Sequence, residues 1–425
     1  MQNAHYRKRI VDAQIEKHLS VFGAVCVEGP KWCGKTWTSS FHANSEIYIG
    51  DPAGNYQNRR LAQMDPSLVL AGDAPRLIDE WQEVPPLWDA VRAAVDRTGQ
   101  KGQFILTGSS TPNHKGILHS GAGRIARVRM RPMSLYESGD SGSEVSLLDI
   151  INKRAPNVAT GEVSLKRLAE LIVRGGWPQN IGLPVEDAVL LPRQYIDAIL
   201  NDDVFRLDGV KRDLTKMRRL LRSLARNEST TVSNKTLRRD VQEIDGSDVD
   251  VDTISEYLDI FARLFLTDDQ PPFSTSMRSS VRVKQAAKRH FCDPSLAAAL
   301  LEATPEKLMN DLNTLGFLFE SLVERDLKIY AESHGGALYH YQDYKDKEID
   351  AVVELPGGAW CAVEIKLGAN EIEDAAQSLV RLKESFIQDK TARRPAALCV
   401  VCGLSSAAYE RPDGVYVVPP TALKN

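Results

Sequence analysis

Two clusters of residues in this chain have the types and spacing to do chemistry on phosphates. The first is Gly29-Pro30-Lys31-Trp32-Cys33-Gly34-Lys35-Thr36, which fits G-x-x-x-x-G-K-[ST] in full. Its glycines let the backbone wrap closely enough for N–H groups to point at phosphate oxygens, and a following helix adds its dipole. Lys35 is expected to reach the β- and γ-phosphates and Thr36 to offer its hydroxyl to Mg²⁺; Trp37 completes the stretch expected to line the nucleotide. Leu77-Ile78-Asp79-Glu80 ends a short apolar run with two acids, one βαβ step beyond that loop. Asp79 would hold the Mg²⁺ shell and Glu80 would polarise an attacking water; a solvated turn is the plainer reading of the same pair.

The second cluster is Asp350, Glu364 and Lys366, in Glu348-Ile-Asp-Ala-Val-Val-Glu and Trp360-Cys-Ala-Val-Glu-Ile-Lys. Two strands joined at Pro356-Gly-Gly, with side chains alternating at period two, bring both carboxylates and the lysine to one pocket. Such a trio can hold Mg²⁺ and activate a water for phosphodiester cleavage. An exposed ion pair is the alternative, but the apolar neighbours Ala362, Val363 and Ile365 favour a buried strand. Between the clusters, Thr107, Ser109 and Ser110 end another apolar run where a γ-phosphate sensor would sit. Arg124, beside two glycines, is the arginine-finger candidate. Arg127, Arg129 and Arg131 alternate as on the exposed face of an edge strand.

The elements that must position these groups are short and apolar. Ile10–Leu19 reads as an amphipathic helix. Phe22–Val27, Ile47–Ile49, Leu68–Leu70, Arg76–Asp79 and Gln103–Thr107 read as strands with helices between, which predicts an α/β fold on a mostly parallel sheet. The polar run Ser138-Gly-Asp-Ser-Gly-Ser marks a boundary. Residues 146–300 read as mainly helical, with ten basic residues between Lys211 and Arg239. Three helices followed by the strand-like pieces Phe265–Thr267 and Arg289–Cys292 suggest a winged helix. Its connection carries Arg278, Arg282, Lys284, Lys288 and Arg289.

With 425 residues, 43% hydrophobic and 26% charged, the chain is globular; a disordered tail and a disulfide-stapled miniprotein are excluded. The net charge of −4 carries no global basic field, so nucleic-acid binding must come from local patches. Of the six cysteines only Cys399 and Cys402 are close, within an apolar run and without a second ligand pair, so reduced core thiols are expected. No uninterrupted apolar stretch reaches the ~18–20 residues of a membrane span. Met1–Ile10 does not read as a signal peptide, so a soluble cytoplasmic protein is expected.

The glycine loop, Ile78-Asp-Glu-Trp-Gln, Leu106-Thr-Gly-Ser and Arg131-Pro-Met-Ser-Leu-Tyr-Glu together resemble prokaryotic AAA+-like P-loop ATPases that carry a restriction-endonuclease-like, PD-(D/E)xK, C-terminal domain. The resemblance implies an ATPase core over 1–140, a helical lid over 141–205, a winged helix over 206–300 and a nuclease-like domain over 301–425. In related ATPases a Gly-x-Pro element of the lid contacts adenine, which implies that role for Pro178 in Gly175-Gly-Trp-Pro. In the nuclease-like enzymes a glutamate from the preceding helix joins the metal site, which implies Glu320 as a third acid and Gln377 as an accessory. A homo-oligomer, with a hexamer favoured, follows from the same analogy. The expected function is ATP hydrolysis with Mg²⁺ coupled to DNA binding or remodelling, and with metal-dependent cleavage by the C-terminal domain. The alternatives are a nucleotide-dependent signalling switch whose nuclease-like domain only docks, and a protein-remodelling ATPase, disfavoured because no aromatic-hydrophobic-glycine pore segment is visible.

Overall fold

The computed structural model describes residues 6–111, 117–242, 249–276, 285–342, 348–388 and 392–425. They form two compact units: Met1–Pro132 with Ala198–Arg212 and Asp259–Leu266, and Met133–Asp197 with Asp213–Leu258 and Thr267–Asn425.

The first unit runs α1 (Val11–Leu19), β1 (Ala24–Glu28), α2 (Lys35–His42), β2 (Ser45–Tyr48), β3 (Arg76–Asp79), α3 (Leu87–Thr98), β4 (Phe104–Gly108) and β5 (Ile125–Arg129). The strands form one parallel sheet in the order β2-β3-β4-β1-β5. Its central strands are near-continuous apolar runs because helices cover both faces. Cys26, Ile78 and Leu106 pack on one side with Trp81, Trp88 and Val91. Val25, Val27, Leu77 and Ile105 pack on the other with Ile15.

Two expectations are corrected here. Asp79 and Glu80 do not lie on the strand next to the phosphate loop: β4 inserts between β1 and β3. Leu68–Leu70 is not a strand but part of a 3₁₀ turn, Pro66–Val69. Proline at its start supplies no N–H, the Asp65 side chain caps Ser67 N, and Val69 is buried in the core with Leu70 packed partly against it.

The second unit contains α4 (Leu165–Arg174), α5 (Leu214–Arg226), α6 (Asn234–Gln242), α7 (Leu312–Ser333) and α8 (Ile372–Gln388). Its sheet consists of β6 (Val158–Ala159), β7 (Ala337–Gln342), β8 (Glu348–Glu354), β9 (Trp360–Lys366), β10 (Ala397–Cys402), β11 (Ala407–Glu410) and β12 (Val415–Val418). The order is β6-β11-β12-β10-β9-β8-β7. β7, β8 and β9 form an antiparallel meander, and α8 then crosses over so that β10 runs parallel to β9. Val352, Trp360, Ala362, Leu379, Leu398 and Val417 fill the core beneath α8.

Phe265–Thr267 and Arg289–Cys292 do not form the expected continuous strand pair. They contribute isolated bridges, Thr267 with Phe291, Gln270 with Lys288 and Thr230 with Arg289. The reason is that an extended backbone turns successive N–H and C=O groups to opposite sides. Lys288 and His290 therefore bond Gln270 and Asp268, while Arg289 bonds Thr230 and Ser229. Arg278, Arg282 and Lys284 lie outside the described residues. All six cysteines are free thiols and buried. Among the described residues no helix is long and apolar enough to cross a membrane.

Candidate functional site

The phosphate loop leaves β1 and enters α2 through two glycines that no other residue replaces easily. Gly34 caps α2 with φ 104°, a left-handed conformation. A Cβ on Gly29 would stand 2.0 Å from the Met130 carbonyl oxygen. Between them Trp32 also takes a left-handed φ of 64°, strain of the kind that collects at ligand-binding loops. Trp32 and Trp37 are exposed, whereas Cys33 is fully buried. Lys35 is buried at the first position of α2, its ammonium donating to the Pro30 carbonyl at 2.8 Å. Two contacts missed by sequence reasoning hold the loop. Lys31 pairs with the buried Asp203 at 2.6 Å, and Arg9 donates to the Cys33 and Arg131 carbonyls, both at 2.8 Å. Both partners lie far from the loop in sequence, so no local signal betrays them.

The expected acids do meet the loop. Thr36 donates to Asp79 at 2.8 Å, and Thr107 of the intervening strand β4 donates to the same oxygen at 2.7 Å. Burial raises the Asp79 pKa; the hydroxyls of Thr107 and Thr36 oppose this, while Glu80 adds to it. A carboxylate short of positive charge beside a threonine hydroxyl suits a hard cation. Thr36 and Asp79 are thus the residues that would hold Mg²⁺, which supplies charge neutralisation to a bound triphosphate. Glu80 takes left-handed angles (φ 56°, ψ 48°), its N–H donating to Thr107 at 2.9 Å. Its carboxylate accepts from Ser109 at 2.8 Å and from Gln82. Ser109 thereby positions the acid proposed to polarise water.

Arg124 stands apart from this cluster. Arg124 is exposed and pairs with Asp96 of α3 at 2.7 Å. Pro178 belongs to the second unit and opens a 3₁₀ turn. There Gly176 N donates to Asp293 at 2.9 Å, and Trp177, fully buried, donates to Ser295 at 2.9 Å.

In the second unit Asp350 of β8 and Glu364 and Lys366 of β9 converge. The Lys366 ammonium lies 3.1 Å from Asp350 and 2.7 Å from Glu364, and Asp350 also accepts from Ile365 N at 2.7 Å. Glu364 is buried; burial and the Asp350 charge push its carboxyl above the usual range despite Lys366. Two convergent carboxylates are hard oxygen ligands of the kind a divalent cation takes, so Asp350 and Glu364 would hold one, which would supply charge neutralisation beside Lys366. Glu320 of α7 is held in an ion pair with Lys288 that also includes Glu324 at 3.3 Å, near enough to Asp350 to feel its charge. Gln377 is exposed and donates to Glu373. Among the described residues no group of three or more His, Cys, Asp or Glu is disposed to hold a metal.

Several of the basic residues between Lys211 and Arg289 pair with acids of their own unit. Arg212 pairs with Asp208, Arg218 with Asp197, Arg222 with Glu302, Arg226 with Asp240 and Arg289 with Asp269. His290 lies buried between Glu324 at 2.7 Å and Glu228 at 3.3 Å. Burial opposes its charge, but the two glutamates outweigh it and push the imidazole up to about 9 from 6.5. A group whose pKa is higher when folded lends stability that is whole below pH 6.5 and lost as pH climbs through 9. Burial also raises the Glu228 carboxyl, which weakens the fold in the same direction. The melting temperature is therefore expected to fall between pH 6.5 and 9. His290→Gln should flatten that slope in thermal melts across the range; an unchanged slope would contradict the pairing.

A parallel sheet in this order, with a phosphate loop and an acid pair two strands away, resembles that of P-loop ATPases. Residues 22–139 match the family model described as an AAA domain. Residues 165–307 and 315–423 match models described as domains of unknown function, DUF8612 and DUF4143. Uncharacterized protein Rv2008c of Mycobacterium tuberculosis and uncharacterized protein Mb2031c of Mycobacterium bovis are each 26% identical over 354 residues, 82% of this chain and 72% of theirs. Among solved structures, the Walker-type ATPase PABY2304 of Pyrococcus abyssi gives a TM-score of 0.39 at 12% identity, over 71% of this chain and 97% of its own. The ORC1 protein of Aeropyrum pernix, solved in complex with DNA, gives 0.25 at 14% identity, over 71% and 94%.

Proposed function

We propose that this chain hydrolyses ATP with Mg²⁺ and couples turnover to DNA, on which its C-terminal nuclease-like domain acts. The observation that carries the ATPase reading is the continuous cluster Thr36–Asp79–Thr107–Glu80–Ser109 beside Lys35. Lys35 and the α2 N-terminus bind and orient the phosphates, Asp79 and Thr36 hold the ion, and Glu80, kept in place by Ser109, takes the proton of the attacking water. Arg124 from a neighbouring copy would complete the site in a homo-oligomer by exchanging Asp96 for a γ-phosphate, and Pro178 would contact adenine.

The DNA reading is supported by the second unit. Helix α7, the antiparallel meander, the crossover α8 and parallel β10 follow the order of nuclease-like domains, with Asp350, Glu364 and Lys366 together. The helices Leu214–Arg226, Asn234–Gln242 and Val251–Arg263 would form the winged helix that holds the phosphate backbone. One observation favours the second reading, a signalling switch with a docking domain: the described basic residues are widely paired with acids of the same unit.

ATP turnover by the full chain, alone and with single-stranded, duplex and branched DNA at moderate salt, separates the two. Stimulation by at least one DNA is expected, and turnover blind to all three would move the assignment to the switch. Asp350→Ala and Lys366→Ala are expected to remove Mg²⁺-dependent cleavage while ATP turnover persists. Cleavage surviving in both would place the nuclease elsewhere.

A further inference from the structure

Lys288 brings a second positive charge, after Lys366, to the acidic site. Its ammonium contacts Glu320, lies 3.3 Å from Glu324 and reaches to 3.4 Å from the Asp350 carbonyl oxygen. The side chain is 12% exposed, and its two glutamates stand one turn apart on α7, at 15% and 2% exposure. The backbone that delivers it is anchored. Lys288 and Gln270 exchange both backbone hydrogen bonds, at 2.9 and 2.8 Å. The fully buried Gln270 side chain in turn donates to the Tyr339 and Asp350 carbonyls, at 2.7 and 3.3 Å. The lysine is thus tied to the same strand that carries Asp350.

We propose that Lys288 is a tethered cation for the acidic site: it holds Glu320 in an ion pair, withholds that glutamate from a divalent ion at Asp350 and Glu364, and so weakens metal binding there. This rests on the reading of Asp350 and Glu364 as metal ligands. While the ammonium holds Glu320, the negative charge of that carboxylate is taken up by the lysine and not by the ion. The ammonium also satisfies the buried α7 carboxylates that would otherwise favour a metal. In the sequence Lys288 reads as part of a basic winged-helix connection; in the structure it is largely buried against two glutamates.

The test is equilibrium Mn²⁺ binding to the nucleotide-free full chain, read by electron paramagnetic resonance. Asp350→Asn versions of every protein serve to subtract ions bound elsewhere. Lys288→Met keeps the aliphatic stem and removes the charge. It is expected to raise the Asp350-dependent Mn²⁺ affinity by at least about tenfold, and Lys288→Met with Glu320→Gln is expected to lose that gain. An unchanged affinity in folded Lys288→Met, or a gain that survives Glu320→Gln, overturns the proposal. If Lys288→Met does not fold, Glu320→Gln alone decides. Affinity within about twofold of the parent supports a glutamate withheld by Lys288, and a loss of about tenfold shows Glu320 to be a ligand and overturns it. If no protein in the set shows Asp350-dependent binding, the metal-site reading fails and takes this inference with it. If the parent shows such binding and Lys288→Met changes nothing, only the role of Lys288 fails.

Discussion

Lys35→Ala will reduce ATP turnover by at least about 100-fold, the range seen when a charged donor is removed from a site where transition-state charge develops. Lys35 is the first residue of α2, and its ammonium rests on a neutral acceptor, the Pro30 carbonyl. A γ-phosphate oxygen is a charged acceptor and forms the stronger, charge-assisted bond, so the lysine exchanges partners at little cost. The truncation leaves only one loop carbonyl without its donor, and Gly29 and Gly34 retain the turn, so the fold is expected to survive. Trp32 and Trp37, both about half exposed beside the loop, provide the control. Their fluorescence should respond to ATP in the parent and respond weakly or not at all in the variant. Undiminished turnover would sink the ATPase assignment.

Arg325→Met carries the largest expected effect on stability. Its guanidinium is 3% exposed and divides itself between Asp293, at 2.8 Å, and Asp326, at 2.7 and 2.9 Å. Those acids have further duties: Asp293 accepts from Gly176 N and Ser295, while Asp326 accepts from Leu135 N. Methionine fills the volume but strands two buried carboxylates, a loss of roughly 3–5 kcal/mol. Burial already pushes Asp326 up to about 6 against the pull of Arg325. Without the arginine both acids are cheaper to bury when protonated, so the deficit should shrink as pH falls toward 5. Urea titrations at pH 7.5 and 5 measure both effects; a midpoint that hardly moves at pH 7.5 would contradict the network.

Local chemistry was legible because it depends on neighbours along the chain. The phosphate loop needs a strand, two glycines, a lysine and a threonine in order, and every one of those requirements is met within residues 24–36. The Asp350, Glu364 and Lys366 trio was equally readable, since period-two alternation and one tight turn suffice to bring the side chains together. Glu324 was within reach of the same reasoning: it follows Glu320 by one helical turn, so the two share a face of α7. Leu68–Leu70 was misread because three apolar residues carry no period, and the proline and aspartate before them held the better signal.

The sequence by itself determined which residues can do chemistry on phosphates and which strands and helices present them. Only the tertiary structure decided who their partners are. Strand order is one case: β4 comes after β3 in the chain yet lies between β1 and β3, so Thr107 comes to bond both Asp79 and Glu80. Charge is the other. A lysine or arginine looks the same in a sequence whether it faces water or a buried acid. The folded chain draws Lys31 to Asp203 and Lys288 to Glu320 and Glu324, because a charge removed from water is tolerated only beside an opposite one. Such pairs join residues 32 to 172 positions apart, where no local pattern forecasts which cation meets which acid.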